Sequence, residues 1–321
     1  MEFVNKKTTE LTQKELDDIS ALFENVFEQE RSAEVFRNQY VNNVFGTSYH
    51  TLMYEDGVLV GHNAGTPGYF NLNGKKLATL NNVDLMIRKD CRGIQGFMFM
   101  MKKAWTYYKQ QGIQLIYSVP NNNSHPLLVK LKFVKDLANL YTYCLPYRIG
   151  GVKPALKFAN IFSKLFCYGW VYLTGLFVSS RKLTFGVQRD YESFLKTRWN
   201  RSDGRYSFVE VNGTTMVYKI MTYEGIRSAF IIDIYEKSQR NFFEGVKYLL
   251  KHENKNFDLI LYVGYLPFAN PGMVRVPHKY EPKNFNFVAT VLNDEGLSEE
   301  DIADYMNIQN WDINLADDDI I

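Results

Sequence analysis

The stretch Asn81-Asn82-Val83-Asp84-Leu85-Met86-Ile87-Arg88-Lys89-Asp90-Cys91-Arg92-Gly93-Ile94-Gln95-Gly96-Phe97 decides how this chain is read. Val83 to Ile87 reads as a buried strand, Arg88 to Gly96 as a basic loop with two glycines, and the residues from Phe97 to Gln111 as an apolar helix. A second strand follows over Ile113 to Val119, and behind it the turn Asn121-Asn122-Asn123-Ser124. A strand that empties into a glycine loop at a helix start leaves several backbone N–H groups pointing at one place, with the positive end of the helix dipole behind them. Such a place holds a phosphate or pyrophosphate.

Composition limits what the site can belong to. With 321 residues, 46% hydrophobic and 15% aromatic, the chain can bury a large core and is long enough for about two domains. The 37 basic and 35 acidic residues leave a net charge of only +2, so no global field favours a polyanion and nucleic acid is not an expected partner. Cys91, Cys144 and Cys167 form no CxxC pair and no disulfide framework, which fits a reducing, cytoplasmic setting. Met1 to Lys7 is polar with no apolar run behind it, so a secretory signal is not expected.

Working outward, Thr12 and Glu15 have capping-box spacing, and Leu16, Ile19, Leu22, Phe23, Val26 and Phe27 recur at helical intervals. Ser32 opens a second helix that the pattern carries to Gly46. Strands follow over Tyr49 to Tyr54, Val58 to Leu72 and Leu77 to Ile87, divided by Asp56-Gly57 and Asn73-Gly74, which are strong hairpin signals. The C-terminal region repeats this order. Strands over Tyr206 to Val211, Thr214 to Met221 and Ile226 to Ile234 are divided by Asn212-Gly213 and Glu224-Gly225, and a helix from about Asn241 to Lys251 precedes a strand over Phe257 to Val263. There the loop Tyr235-Glu236-Lys237-Ser238-Gln239-Arg240 lacks glycine, so the backbone cannot approach a pyrophosphate as closely.

Between the two regions, residues 161 to 179 are apolar and aromatic, interrupted by Lys164, Gly169 and Gly175. A bilayer span takes roughly 20 apolar residues. Three readings stay open: helices packed between domains, a true span, or a helix lying in a membrane interface with Lys153, Lys157, Lys164, Arg181 and Lys182 reaching anionic lipid.

A dinucleotide-binding domain would place its loop after the first strand of a parallel βαβ unit with GxGxxG. Here the loop follows antiparallel hairpins and the glycines read Gly93-x-x-Gly96. Taken together, Val83 to Ile87, Arg92-Gly93-Ile94-Gln95-Gly96, Phe97 to Gln111, Ile113 to Val119, Asn121 to Ser124 and Lys130-Leu131-Lys132-Phe133-Val134 resemble the GNAT family of acyl-coenzyme A-dependent N-acyltransferases. The resemblance covers residues 1–148 and implies an α/β (α+β) fold: two mixed antiparallel and parallel sheets flanked by helices, the second copy degenerate. It divides the chain into an acyl-CoA-binding domain at 1–148, a helical linker at 149–200 and a second GNAT-like domain at 201–321. Such a tandem looks like the polysaccharide-cluster acyltransferases and, more distantly, the Fem-type peptidoglycan aminoacyltransferases. Three features depart from the family pattern: the loop is one residue longer, so that Gln95 sits where a glycine is expected or Gly96 is displaced; Lys132 stands where a glycine is expected; and Leu128 stands where many members carry a tyrosine that protonates the leaving thiolate.

The resemblance implies transfer of an acetyl or similar group from acetyl-CoA (acyl-CoA) to a small amine, with an amino sugar of cell-surface polysaccharide synthesis as the acceptor by analogy. Asp84 is then the catalytic carboxylate, and a backbone N–H of Leu85, Met86 or Ile87 meets the oxyanion. Arg88, Arg92, Gly93, Ile94, Gln95, Gly96 and Phe97 hold the diphosphate, and Asn121 and Ser124 touch pantetheine or adenosine. Each has a plainer reading beside it. Asp84 can be a half-buried residue bonded to Asn81, Asn82 or nearby amides, Asn121 and Ser124 can cap the next helix, and the loop cations can be ordinary solvated charge. His125 at a helix start can be an acid or simply polar, and basic neighbours of Cys91 would lower its pKa although it has no base partner. His50, His62, His252 and His278 show no metal spacing, so no metal is expected, and the acidic tail Asp312 to Ile321 reads as solvated or as a rim that attracts an amine. Two rival readings are a Fem-type aminoacyl transferase, which needs a helical arm or basic groove, and a non-catalytic membrane-peripheral scaffold.

Overall fold

The computed structural model of the chain describes residues 1–200, 206–270, 272–281 and 283–317. Its elements begin with β1 (Glu2–Lys7), α1 (Gln13–Phe27), α2 (Ala33–Val41), β2 (Tyr49–Glu55), β3 (Val58–Leu72), β4 (Lys75–Ile87), α3 (Ile94–Gln110), β5 (Leu115–Ser118), α4 (His125–Lys130) and β6 (Lys135–Pro146). They continue with α5 (Ile149–Val152), α6 (Asn160–Gly175), β7 (Val187–Arg189), α7 (Tyr191–Lys196), β8 (Ser207–Val211), β9 (Thr214–Tyr223), β10 (Ile226–Ile234) and α8 (Gln239–Tyr248). β11 (Leu259–Gly264), β12 (Val274–Arg275), β13 (Phe285–Val291) and α9 (Glu299–Tyr305) complete the series. One unit comprises Met1–Ala138, Gly186–Arg201 and Asn286–Trp311; the other comprises Asn139–Phe185, Ser202–Phe285 and Asp312–Ile321. The units therefore interleave along the chain. Residues 201–205 and 318–321 of the expected last segment lie outside the described residues.

In the first unit the strands run β1-β2-β3-β4-β5-β13, with every pair antiparallel except β4 and β5. The hairpin dipeptides shape this sheet: Asp56 and Gly57 have φ of 50° and 75°, Asn73 and Gly74 of 50° and 84°, the positive pair that matches the twist of a two-residue hairpin. Thr12 caps α1 through a full capping box, as its spacing predicts. The second helix stops at Val41, short of Gly46, because the Asn43 side chain bonds the carbonyls of Tyr40 and Thr47 and accepts from the Phe45 amide. β1 escaped the sequence reading, since none of its residues is fully buried and no clean alternation marks it. Trp311 closes this unit against Phe70, Tyr117 and Phe287.

The second unit is built on Tyr141 to Pro146 of β6, then β11-β10-β9-β8, with β10 and β11 parallel and the other pairs antiparallel. Its hairpins again turn on positive-φ pairs, Asn212-Gly213 at 50° and 72° and Glu224-Gly225 at 49° and 75°. Each unit is thus a mixed sheet with a helix, α3 or α8, carrying the chain across between two parallel strands. The described part of the acidic tail is not solvated: Ile313, Leu315, Ala316 and Asp317 are buried, and Asp317 accepts the Asn314 amide.

Candidate active site

β4 and β5 pair only over Thr79 to Asn81 against Leu115 to Tyr117. Beyond that, Ser118 Oγ donates to the Asn82 carbonyl at 2.7 Å and the described ladder ends. Two residues later β4 carries a bulge, in which Asp84 and Leu85 stand against the single Asn63 of β3. Asp84 takes φ 47°, the left-handed region that Asp tolerates better than most residues. A bulge breaks local ladder pairing and re-aims side chains. Here it turns Leu85 and Ile87 toward a cavity of about 550 Å³.

The far side of that cavity is the start of α3. The helix begins at Ile94, three residues before the expected Phe97, because the Phe97 amide already reaches the Gly93 carbonyl at 3.1 Å. The supposed five-residue loop is therefore Arg92 and Gly93 followed by the first helical turn. Gly96 lies inside that turn and faces the core, where a Cβ would meet Met1 Sδ at 3.5 Å and Met53 Sδ at 3.6 Å. Gly93 is the N-cap, extended at φ −163°, and a Cβ there would meet open space. Its backbone would suit any residue; what glycine does is leave the helix start without a capping side chain. The amides of Cys91 and Phe97 bond to the carbonyls of Arg88 and Gly93, whereas those of Arg92, Gly93, Ile94, Gln95 and Gly96 donate to no acceptor among the described residues. Five free donors at the start of a 17-residue helix make an electropositive corner.

The loop cations divide. Arg88 Nε holds Asp90 at 2.7 Å and Lys89 holds Glu28 at 2.8 Å, and neither lines the cavity. Arg92 lines it, anchored by Nε to the Ile87 carbonyl at 3.1 Å and with no carboxylate partner among the described residues. Gly93, Ile94, Phe97, Leu85, Ile87, Asn121 and Ser124 of the expected set also line it, and Met86, Gln95 and Gly96 do not. Asn121 accepts the amides of Asn123 and Ser124 at 2.9 and 3.1 Å, so it shapes its own turn as well as facing the cavity. Val26, Phe27 and Leu127 supply apolar wall. His125 is taken by Asp136 at 2.5 Å, and Leu128 is buried in the core beside Phe97. Desolvation, followed by the Glu55 contact, pushes the Cys91 thiol up and not down, the reverse of what its basic neighbours suggested.

Asp84 does not line this cavity. Its carboxylate accepts the Tyr40 hydroxyl at 2.8 Å and lies 3.6 Å from Arg31, partners supplied by α2 and the turn before it in place of Asn81 or Asn82. Around the bulge lies a buried polar network. Asn63 Nδ2 donates to Asn82 and to Tyr108, and His62 bonds His50, which bonds Thr8 at 2.9 Å. One of its atoms, Asn63 Oδ1, is buried without a partner among the described residues. Burial holds His50 well below the usual imidazole range and His62 down to about 3, with the Asp84 backbone opposing slightly. Sequence reading missed Tyr40, Arg31 and this pair of histidines; only strands and helices brought together in space align them.

The second unit has a bulge at the corresponding place of β10, between Ile231 and Asp233. Asp233 is buried and accepts Asn314 Nδ2 at 2.8 Å, with Lys237 Nζ 3.3 Å away and bonded also to Asp312. Ser238 caps α8 by accepting the Asn241 amide at 3.1 Å, and the Arg240 amide goes to the Ser179 carbonyl at 3.0 Å. Among the described residues no group of three His, Cys, Asp or Glu converges as a metal-ligand set, and no helix is long and apolar enough to cross a membrane.

Comparison with known proteins agrees with this geometry. Among solved structures, the chain is similar to a protein of Enterococcus faecalis V583 described as a "Probable N-Acyltransferase", at TM-score 0.57 and 13% identity over 91% of this chain and 73% of that one. It is similar also to a GCN5-related N-acetyltransferase from Anabaena variabilis ATCC 29413, at TM-score 0.57 and 10% identity over 91% and 73%. Eis1 from Mycobacterium abscessus gives TM-score 0.53 and 10% identity over 92% and 75%. At these identities the likeness is one of fold. No curated protein sequence matches. The model of the acetyltransferase (GNAT) domain matches residues 7–126, the stretch that carries the bulge, the uncapped helix start and the Asn121 turn. Residues 7–126 match the acetyltransferase domain of the GNAT family, which supports acyl transfer as the chemistry of this part of the chain.

Proposed function

We propose that the first unit binds acetyl-CoA or a similar acyl-CoA with its diphosphate on the free amides of residues 92–96, and passes the acyl group to a small amine. The observation that carries this is the row of amides at an uncapped helix start that donate to no acceptor among the described residues, three of them, of Arg92, Gly93 and Ile94, on residues lining a cavity walled by β4 and the Asn121 turn. Arg92 adds a charge-assisted contact to a phosphate oxygen. The thioester then lies along Leu85 to Ile87, beyond the last residues of β4 that pair with β5, where a backbone N–H meets the oxyanion. The amine attacks the carbonyl, Asp84 accepts its proton, and coenzyme A leaves as the thiolate. Tyr40 and Arg31 hold Asp84 in the bulge. With Leu128 buried, α4 offers no hydroxyl at the family's usual place for the acid.

An amino sugar is the acceptor the family resemblance implies, and a panel of amines with one acyl donor tests it. The second unit reads as a degenerate second copy, supported by its strand order, its bulge and its crossover helix. Contact of residues 161–179 with a membrane is a separate proposal that does not depend on acyl transfer. The test of the main reading is thermal unfolding with acetyl-CoA. A ligand at about 100 times its Kd stabilises by about 2.7 kcal/mol. Arg92→Ala should raise KM for acyl-CoA about tenfold or more with kcat little changed, the loss of one charged hydrogen bond of about 1.5–3 kcal/mol. No Tm shift at millimolar acetyl-CoA, together with unchanged kinetics for Arg92→Ala, overturns the reading.

A further inference from the structure

In the second unit, the surface formed by α6 and the 3-10 turn Pro154–Ala159 before it is inverted relative to an ordinary amphipathic helix. Its small buried edge is Cys167 and Val171, and its large apolar side chains point outward. Phe158, Phe162 and Phe177 are 77%, 71% and 84% exposed, and Ile161, Leu165 and Leu173 are 69%, 65% and 57% exposed. Ile161, Phe162, Leu165 and Leu173 stand on α6, a helix about 24 Å long, with Phe158 just before it and Phe177 just after it. A patch of this extent is not left bare on a soluble surface without a partner.

Charge identifies the partner. The 37 residues from Ile149 to Phe185 contain five basic side chains, Lys153, Lys157, Lys164, Arg181 and Lys182, and no acidic one. Lys153, Lys157, Arg181 and Lys182 are exposed, and among the described residues only Lys182 of these is spent on a carboxylate, that of Glu236. We propose that this face docks on the surface of an anionic lipid bilayer, with α6 lying in the interfacial plane. Phenylalanines and leucines enter at the acyl boundary, Tyr168 and Tyr172 sit at headgroup depth, and the flanking lysines and arginine reach lipid phosphates. With 16 residues and Lys164 in its first half, α6 lies on the membrane and does not cross it.

The test is co-sedimentation of the full chain with phosphatidylcholine vesicles and with phosphatidylcholine vesicles containing phosphatidylglycerol, at low and high salt. Wild type should partition at least about tenfold more strongly onto the anionic vesicles, and salt should weaken this. Phe158→Ser, Phe162→Ser and Leu165→Ser combined should abolish binding to both vesicles. Lys153→Glu, Lys157→Glu and Arg181→Glu combined should remove the anionic preference. All six side chains are exposed, and circular dichroism checks that both variants remain folded. Wild type left in the supernatant with both vesicles overturns the proposal. So does sedimentation equilibrium that shows a dimer dissolved by the serine variant with no vesicle binding, which would give the face to a second copy of the chain.

Discussion

The starts of α3 and α8 are alike in topology and opposite in chemistry. Each follows a bulged strand, and each leads the chain across to a parallel neighbour. At α3 the N-cap is Gly93, five amides are free and Arg92 faces a cavity. At α8 the N-cap is Ser238, which takes the Asn241 amide; the Ser179 carbonyl takes the Arg240 amide, and Lys237 turns back to neutralise Asp233 in the bulge. The same backbone therefore presents open donors at α3 and is closed at α8, where serine and lysine satisfy it. What separates them is a handful of side chains.

The sharpest way to break this comparison is to neutralise the two bulge aspartates. Asp84→Asn keeps a residue that tolerates φ 47° and should lower kcat by about 10²–10⁴, the usual worth of a positioned base. Asp233→Asn should leave steady-state rates near wild type and cost on the order of 3 kcal/mol in urea unfolding, because Lys237 loses a buried charge partner. Equal losses of kcat in both would remove the distinction.

Acid offers the next largest effect. His50 and His62 are buried and neutral, with folded pKa values below the ordinary value of 6.5, that of His62 near 3. The unfolded chain binds more protons below that ordinary value, so stability is intact above it and is lost as pH falls toward the folded values. At pH 5 the loss is about 2 kcal/mol for His62, and His50 adds to it in the same direction. Hydrogen exchange should show β2 and β3 losing protection between pH 7 and pH 5 more than β9 and β10, whose unit has no fully buried histidine among the described residues.

Gly93→Asp would convert α3 into an α8-like, self-capped start. Titration calorimetry should find affinity for coenzyme A at least tenfold weaker, about 1.4 kcal/mol, while stability holds or rises by a few tenths of a kcal/mol. Smallest is the reciprocal change. Ser238→Ala should cost about 1 kcal/mol in chemical denaturation and leave coenzyme A affinity as in wild type.

Much of the fold is legible along the chain because local chemistry dictates it. The four hairpin pairs require positive φ, and Thr12 with Glu15 can only mark a helix start of one kind. The interleaving is not legible, since nothing in the alternation of Phe285 to Val291 tells that it will pair with Leu115 to Ser118, some 170 residues earlier. The site divides in the same way. Arg92, Gly93 and the Asn121 turn stand out locally. The early start of α3 was hidden because Ile94, Gln95 and Gly96 carry no cap signal, and the direction of Asp84 depends on one extra residue in β4. A slip of one position in a strand exchanges its faces, and periodicity alone does not reveal a bulge.

The most direct test follows backbone amide resonances while coenzyme A is titrated into the protein. The amides of Arg92 to Gly96 should move to saturation while those of Ser238 to Phe242 stay in place. Unmoved resonances for residues 92–96 at saturating ligand would contradict the account.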